Sequence, residues 1–196
     1  MTTRWFGVAS AALALTALAA CDAGAPTSAP RLVPVSLYLT DAPGSPSLGS
    51  PPDAEGITVT GATVRISQAY LVPGGEGGER FVITDEPQDY DLFALQGGVR
   101  ALLGTASIPE GEYAQLRLVV ESAEVTLSDG STHTLFVPSG METGIKVTFP
   151  GTITVGGSAT TVTVDFDVNA NFRLLPPHQP ERVLFTPLLV GTVSEG

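Results

Sequence analysis

The side chains best suited to chemistry lie in one short stretch. Asp165, Asp167, Asn169 and Asn171 take every second position of an apolar–polar repeat that runs from Val162 to Leu174. In an extended strand, alternate side chains project from one face about 7 Å apart. Two carboxylates and two amide oxygens would then stand in a row. Hard oxygen ligands of this kind suit Ca²⁺ or sugar hydroxyls, and paired carboxylates are the working groups of glycoside hydrolysis. The spacing Asp-x-Asp-x-Asn opens like a calcium loop, yet Ala170 stands where such a loop needs Gly, and no Glu closes it. The row therefore reads first as the solvated face of a half-exposed strand, with its charges paired to Arg173 or to Lys146 on a neighbouring strand. Calcium held by Asp165, Asp167 and Asn169 is the alternative, and no other metal or cofactor is expected.

Two further residues enter as binding candidates. Asp41, in Thr40-Asp41-Ala42-Pro43, ends the first strand. An Asp before a turn-forming Pro folds its carboxylate onto nearby backbone amides; at the end of a sheet, where loops gather, it could instead offer a ligand oxygen. Lys146, the only lysine, sits between apolar neighbours and would emerge on the polar face. A catalytic lysine needs a desolvated pocket to lower its pKa, and nothing around Lys146 supplies one. Searches for a nucleophile fail: there is no Gly-x-Ser-x-Gly elbow, and His133 and His178 have no recognisable partner. Gly140–Lys146 has the wrong glycine spacing for a phosphate loop and precedes a strand. No catalytic residue is assigned and an enzyme is not expected; the alternatives are a calcium- or sugar-dependent enzyme using Asp165 and Asp167, and a structural component with no discrete ligand.

The lone cysteine has a different chemistry. Residues 1–20 carry a short basic start and an apolar run from Trp5 to Ala20, the pattern of a secretory signal and too short to span a bilayer. The ending Leu18-Ala19-Ala20-Cys21 resembles the bacterial lipobox, in which the Cys thiol takes a diacylglyceryl group and becomes the new N-terminus. Each acyl methylene adds about 0.8 kcal/mol on burial, so two or three chains make an anchor. Residues 21–34 are small and Pro-rich, the composition of a tether. The expected address is the bacterial cell envelope, with the membrane engaged through Cys21 and an envelope protein or glycan as partner.

Composition excludes other classes. Of 196 residues, 20 are acidic and 9 basic, a net charge of −11. That balance cannot displace counterions from phosphates, so no nucleic-acid partner is expected. It also makes attraction to anionic membrane surfaces weak, which leaves lipid as the anchor. One Cys and two His furnish neither a disulfide framework nor a zinc site.

These residues must be positioned by strands. Val33, Val35, Leu37 and Leu39 alternate with polar residues, as do Ile145, Val147 and Phe149. Val59–Val72, Arg80–Thr84, Tyr113–Leu127, Leu135–Val137 and Val183–Val193 are further β-rich runs. Gly-rich punctuation separates the runs, and Gly44–Gly56 forms a long loop. Within Ala114–Leu127 the apolar phase moves from even to odd positions near Glu121-Ser122, which calls for a bulge or a crossing between sheets. Asp91–Gln96 and Val99–Gly104 read as short helical turns, the first capped by Asp91. The fold class expected is all-β: one antiparallel β-sandwich of about seven to nine strands over 35–193, immunoglobulin-like or transthyretin-like, with one or two helical turns.

Several segments together resemble a family of bacterial and archaeal envelope lipoproteins known as domain of unknown function 4382. They include Leu37–Pro43, Tyr90–Gly97, Leu102–Gly104, Ile108–Leu118, Val137–Gly140, Gly144–Val147 and Val164–Asp167, in the family's order. The resemblance implies a β-sandwich lipoprotein domain and brings no activity, ligand or catalytic residue with it.

Overall fold

Apolar alternation at period two sets the architecture. In the computed structural model, which describes residues 29–41, 56–74, 79–135, 137, 143–175 and 183–196, Val33, Val35, Leu37 and Leu39 are buried while the residues between them reach the surface. Cys21, the signal segment 1–20, tether residues 22–28, loop residues 44–55, glycine-rich residues 75–78, residues 140–142 and His178 lie outside the described residues.

The strands are β1 (Leu32–Thr40), β2 (Val59–Pro73), β3 (Phe81–Thr84), β4 (Gln88–Asp91), β5 (Arg100–Pro109), β6 (Gly111–Leu127), β7 (Thr132–Leu135), β8 (Ile145–Thr148), β9 (Ile153–Val155), β10 (Thr160–Asp165), β11 (Phe172–Leu174), β12 (Val183–Phe185) and β13 (Leu189–Glu195). A 3₁₀ segment (Phe93–Gly98) and one helical turn, α1 (Val168–Asn171), interrupt them. Eleven strands form one sheet in the order β3-β2-β6-β8-β13-β10-β1-β5, with β4 added to β2 and both β7 and β9 to β6. β11 and β12 make a separate pair.

The all-β expectation holds, but the sandwich of seven to nine antiparallel strands does not. The large sheet is mixed: β1 runs parallel to β10, and β13 parallel to β8. It also curls until its two ends meet. A Cβ at Gly104 of β5 would lie 2.7 Å from Thr84 Cβ and 3.1 Å from the Ile83 carbonyl oxygen, so β3 can approach β5 only because no side chain stands there. No ladder joins the two strands. The result is a nearly closed barrel with a seam.

Two local expectations fare differently. The phase change in β6 is a bulge: Arg65 pairs with Ser122 and Ile66 with Val120, leaving Glu121 as the extra residue. Its carboxylate accepts from Arg65 Nε at 3.1 Å, and Arg65 Nη1 donates to Asp89 at 3.0 Å, so one guanidinium ties β2, β4 and β6 together. Val99–Gly104, by contrast, is not a second helical turn. Gly97 and Gly98 both take positive φ, the chain reverses, and Arg100 onward pairs with β1. Pairing with a buried partner outweighs local propensity. β1 also begins at Leu32, inside the stretch 21–34 expected as tether, with Val33 already in the core.

The barrel has two distinct poles. At one, β1 begins, β5 ends at Pro109, β10 begins at Thr160 and β13 ends at Glu195. Arg31 is fixed there by bonds to the Gly157 carbonyl and the Glu110 carboxylate. At the other, β1 and β10 end at Thr40 and Asp165, β5 starts at Arg100 and β13 starts at Leu189. The β11–β12 pair joins this second pole through Phe166, Phe172 and Phe185, whose rings stack at 5.2–6.2 Å.

Candidate functional site

The second pole gathers most of the candidate residues, in an arrangement other than a strand face. β10 stops at Asp165. Asp167 is the N-cap of α1, its Oδ1 accepting from the backbone N–H groups of Asn169 at 2.8 Å and Ala170 at 3.3 Å. The chain therefore turns after Phe166, and Asp165, Asp167, Asn169 and Asn171 do not form a row. The competing signal lay in the same residues: an Asp is a preferred helix N-cap as well as a polar position in a strand alternation.

Each of the four has a separate setting. Asn171 is fully buried, its Nδ2 donating to the carbonyls of Asp167 at 2.7 Å and Leu188 at 3.0 Å, and its Oδ1 accepting from Leu188 N–H at 2.7 Å. It fastens α1 to the start of β13. Asn169 is half-buried, with an Oδ1 that is inaccessible to solvent and accepts no hydrogen bond. Asp165 is half-buried and paired across the sheet with Thr40 and Val190.

Asp41 completes the cluster. It is 2% exposed, and its Oδ1 accepts from Val168 N–H at 3.0 Å, across a sequence separation of 127 residues. The Asp41 carboxylate does accept from a backbone amide, as expected, and this amide lies in α1; residues 42 and 43 lie outside the described residues. Burial raises its carboxyl above the ordinary 3.8; the Val168 hydrogen bond and the nearby Gln96 amide oppose that, and the charges of Asp167 and Asp165 add to it. Gln96 Nε2 is itself buried and completes no hydrogen bond of good geometry. Asp91 Oδ1 accepts from Phe93 N–H at 2.9 Å, as expected of the residue that opens the 3₁₀ segment carrying Gln96.

A raised pKa in the folded state has a definite consequence. The stability Asp41 contributes is complete below 3.8 and is lost as pH rises through its folded-state value. Asp41→Asn keeps an oxygen for Val168 N–H and removes the charge. Its melting temperature relative to wild type is expected to be higher at pH 7 than at pH 3.5, by about 2–4 °C for each 1 kcal/mol by which the charge is disfavoured. Thermal melts of both proteins at the two pH values check this, and an equal difference at both would exclude a strained Asp41 charge.

Other expectations require correction. Lys146 does not pair with Asp165 or Asp167: it is exposed on β8, with the whole of β13 between it and β10. In register it faces Arg117, and the Arg117 guanidinium turns to the Thr143 and Gly144 carbonyls at 3.1 and 3.2 Å. Arg173 forms no ion pair with these carboxylates either; the ion pairs among the described residues are made by Arg31 and Arg65. Among the described residues, no three His, Cys, Asp or Glu side chains are disposed to hold a metal ion. His133, expected to lack a partner, lies 3.1 Å from Ser131 Oγ, which also donates to Asp129 Oδ1 at 2.6 Å. Ser131 N–H donates to the same Asp129 oxygen at 2.9 Å, so the pair of hydrogen bonds fastens the turn.

Among the described residues, no helix is long and apolar enough to cross a membrane. Comparison with curated proteins and with solved structures gives no match. A family model described as a domain of unknown function, DUF4382, matches residues 33–187, from the first buried residue of β1 to the approach to β13. With more than half its length matched, this chain belongs to the DUF4382 family.

Proposed function

We propose that this protein is a lipid-anchored component of the bacterial cell envelope that displays a non-catalytic binding domain to a protein or glycan partner. Cys21 is the anchor, and the half of the barrel that ends in Asp41, Asp165, Asp167 and Asn169 is the working half. One observation carries the proposal: the chain enters the barrel at the pole opposite that cluster. β1 climbs nine residues at about 3.3 Å each from Leu32 to Thr40, so the polar cluster stands roughly 26 Å beyond the point where the tether joins. A tether at one pole and partly buried polar groups at the other is the geometry of display.

The chemistry of the cluster favours binding over turnover. Asp167 spends an oxygen on the cap, and Asp41 is buried against a backbone amide, so neither is available as an acid or base. The exposed Val99, Leu188 and Val190 stand at this pole beside the half-buried Asp165, Asn169 and Gln96, a mixture of apolar and polar residues of the kind found at protein interfaces.

Metabolic labelling with palmitate tests the anchor. The wild-type chain is expected to take label and partition into the detergent phase, and Cys21→Ala to do neither. Equal labelling of the two chains would remove the lipid from the proposal.

A further inference from the structure

The seam of the barrel is a second feature of the same half. Among the described residues, β5 is hydrogen-bonded along one edge only, to β1, and stands at the end of the strand order. β3, at the other end, has four residues against the ten of β5, and it comes close to β5 at Gly104. Beside that contact a cleft of about 490 Å³ opens, with Thr84, Asp85, Glu86, Leu102, Gly104 and Thr105 in its walls. Leu102 and Thr105 pair with Tyr38 and Ser36, which puts the cleft on the flank, in the half away from the tether.

A strand edge offers backbone donors and acceptors at the repeat of another strand, and a natural protein normally covers or charges it. Here the charge is of one sign. Asp85 and Glu86 are exposed in the wall, and among the described residues no Lys or Arg lines the cleft. A second copy of this chain, net −11, would bring more negative charge to the same place. A sugar would find few groups set at its own spacing. We infer that the seam is a docking site for an extended, basic peptide segment of a partner protein, added to the β5 edge as a further strand with its Lys or Arg side chains toward Asp85 and Glu86. This deepens the binding-module proposal and does not depend on the anchor.

The test uses the full-length chain in detergent and the synthetic peptide Lys-Thr-Lys-Val-Lys-Thr-Lys-Val, with binding followed by fluorescence anisotropy and by hydrogen exchange. Saturable binding with slowed exchange at residues 102–105 is expected. A version with Glu in place of Lys should not bind. A version N-methylated at alternate residues, which keeps every charge and loses the strand hydrogen bonds, should bind at least tenfold more weakly. Asp85→Asn with Glu86→Gln, both on the surface and outside the core, should weaken binding about fivefold or more, since exposed ion pairs contribute up to about fivefold each. No binding at millimolar peptide, equal binding of the N-methylated or the Glu peptide, or protection confined to other strands would each overturn the inference. Those outcomes leave palmitate labelling of Cys21 unaffected, so failure here is separable from failure of the anchor.

Discussion

Asn171→Ala is expected to destabilise the domain by roughly 2–4 kcal/mol, the cost of leaving the two inward-facing backbone groups of Leu188 without partners. The wild-type amide satisfies the Asp167 carbonyl, the Leu188 carbonyl and the Leu188 N–H at once. Alanine leaves both Leu188 groups without a partner, while the Asp167 carbonyl keeps the backbone N–H of residue 171, and the side chain is completely shielded from water. Two backbone bonds remain, Asn171 N–H to Asp167 and Thr186 N–H to Asn171, so α1 should loosen from β13 without unravelling. The effect should be local as well as global: hydrogen exchange at Leu188 ought to accelerate more than in the centre of β6. Asn171→Asp is at least as damaging at pH 7, because it turns an oxygen toward two carbonyls. A loss below about 1 kcal/mol for alanine would mean that water replaces the amide and that the pole is wetter than described.

Phe166→Ala should cost about 3–5 kcal/mol, the range for deleting a buried aromatic side chain. Phe166 is fully buried, and its ring stacks 6.2 Å from Phe172 and 6.0 Å from Phe185, the side chains that join the β11–β12 pair to the barrel. Its backbone N–H donates to Thr40, so the residue also sits at the closure of the parallel β1–β10 pair. Denaturant unfolding checks the value. Phe166→Leu, which retains most of the volume, should lose less than half as much. Equal losses for the two would indicate that ring geometry matters more than filled space.

These two residues show what could be read from the chain and what could not. Phe166 lies in the alternating run, and its burial followed from period two alone. The same alternation identified β1, β6, β8 and β10, while β2 was marked by its β-rich composition, and the break near Glu121 marked the bulge that Arg65 now spans. Asn171 was legible only as one more polar position on a strand. Its role depends on α1, and α1 exists because the Asp167 cap competes successfully with β-propensity once β10 has run out of partners. Strand order was beyond reach for a related reason. β1 pairs with β10 over more than a hundred residues of intervening chain, and nothing in either segment distinguishes a parallel partner from an antiparallel one. The seam depends on a single missing side chain, Gly104, in a stretch whose local pattern suggested a helical turn.

Asp41 is the instructive intermediate case. Its place before Ala42-Pro43 pointed to a carboxylate turned onto backbone amides, and it is so turned. The amide belongs to Val168, brought alongside by the parallel pair, and with it come Asp165 and Asp167. A turn residue in the sequence is a long-range fastening in the fold.

Display of one pole away from a lipid at the other is tested most directly by depth. The full-length chain, with Leu32→Cys or Leu188→Cys introduced singly at exposed positions of the two poles, is labelled with a thiol-reactive fluorophore and reconstituted into vesicles that carry a headgroup quencher. Stronger quenching at position 32 than at position 188 is expected, with both lost in the Cys21→Ala background. Equal quenching at the two positions, or quenching that persists without Cys21, would contradict it.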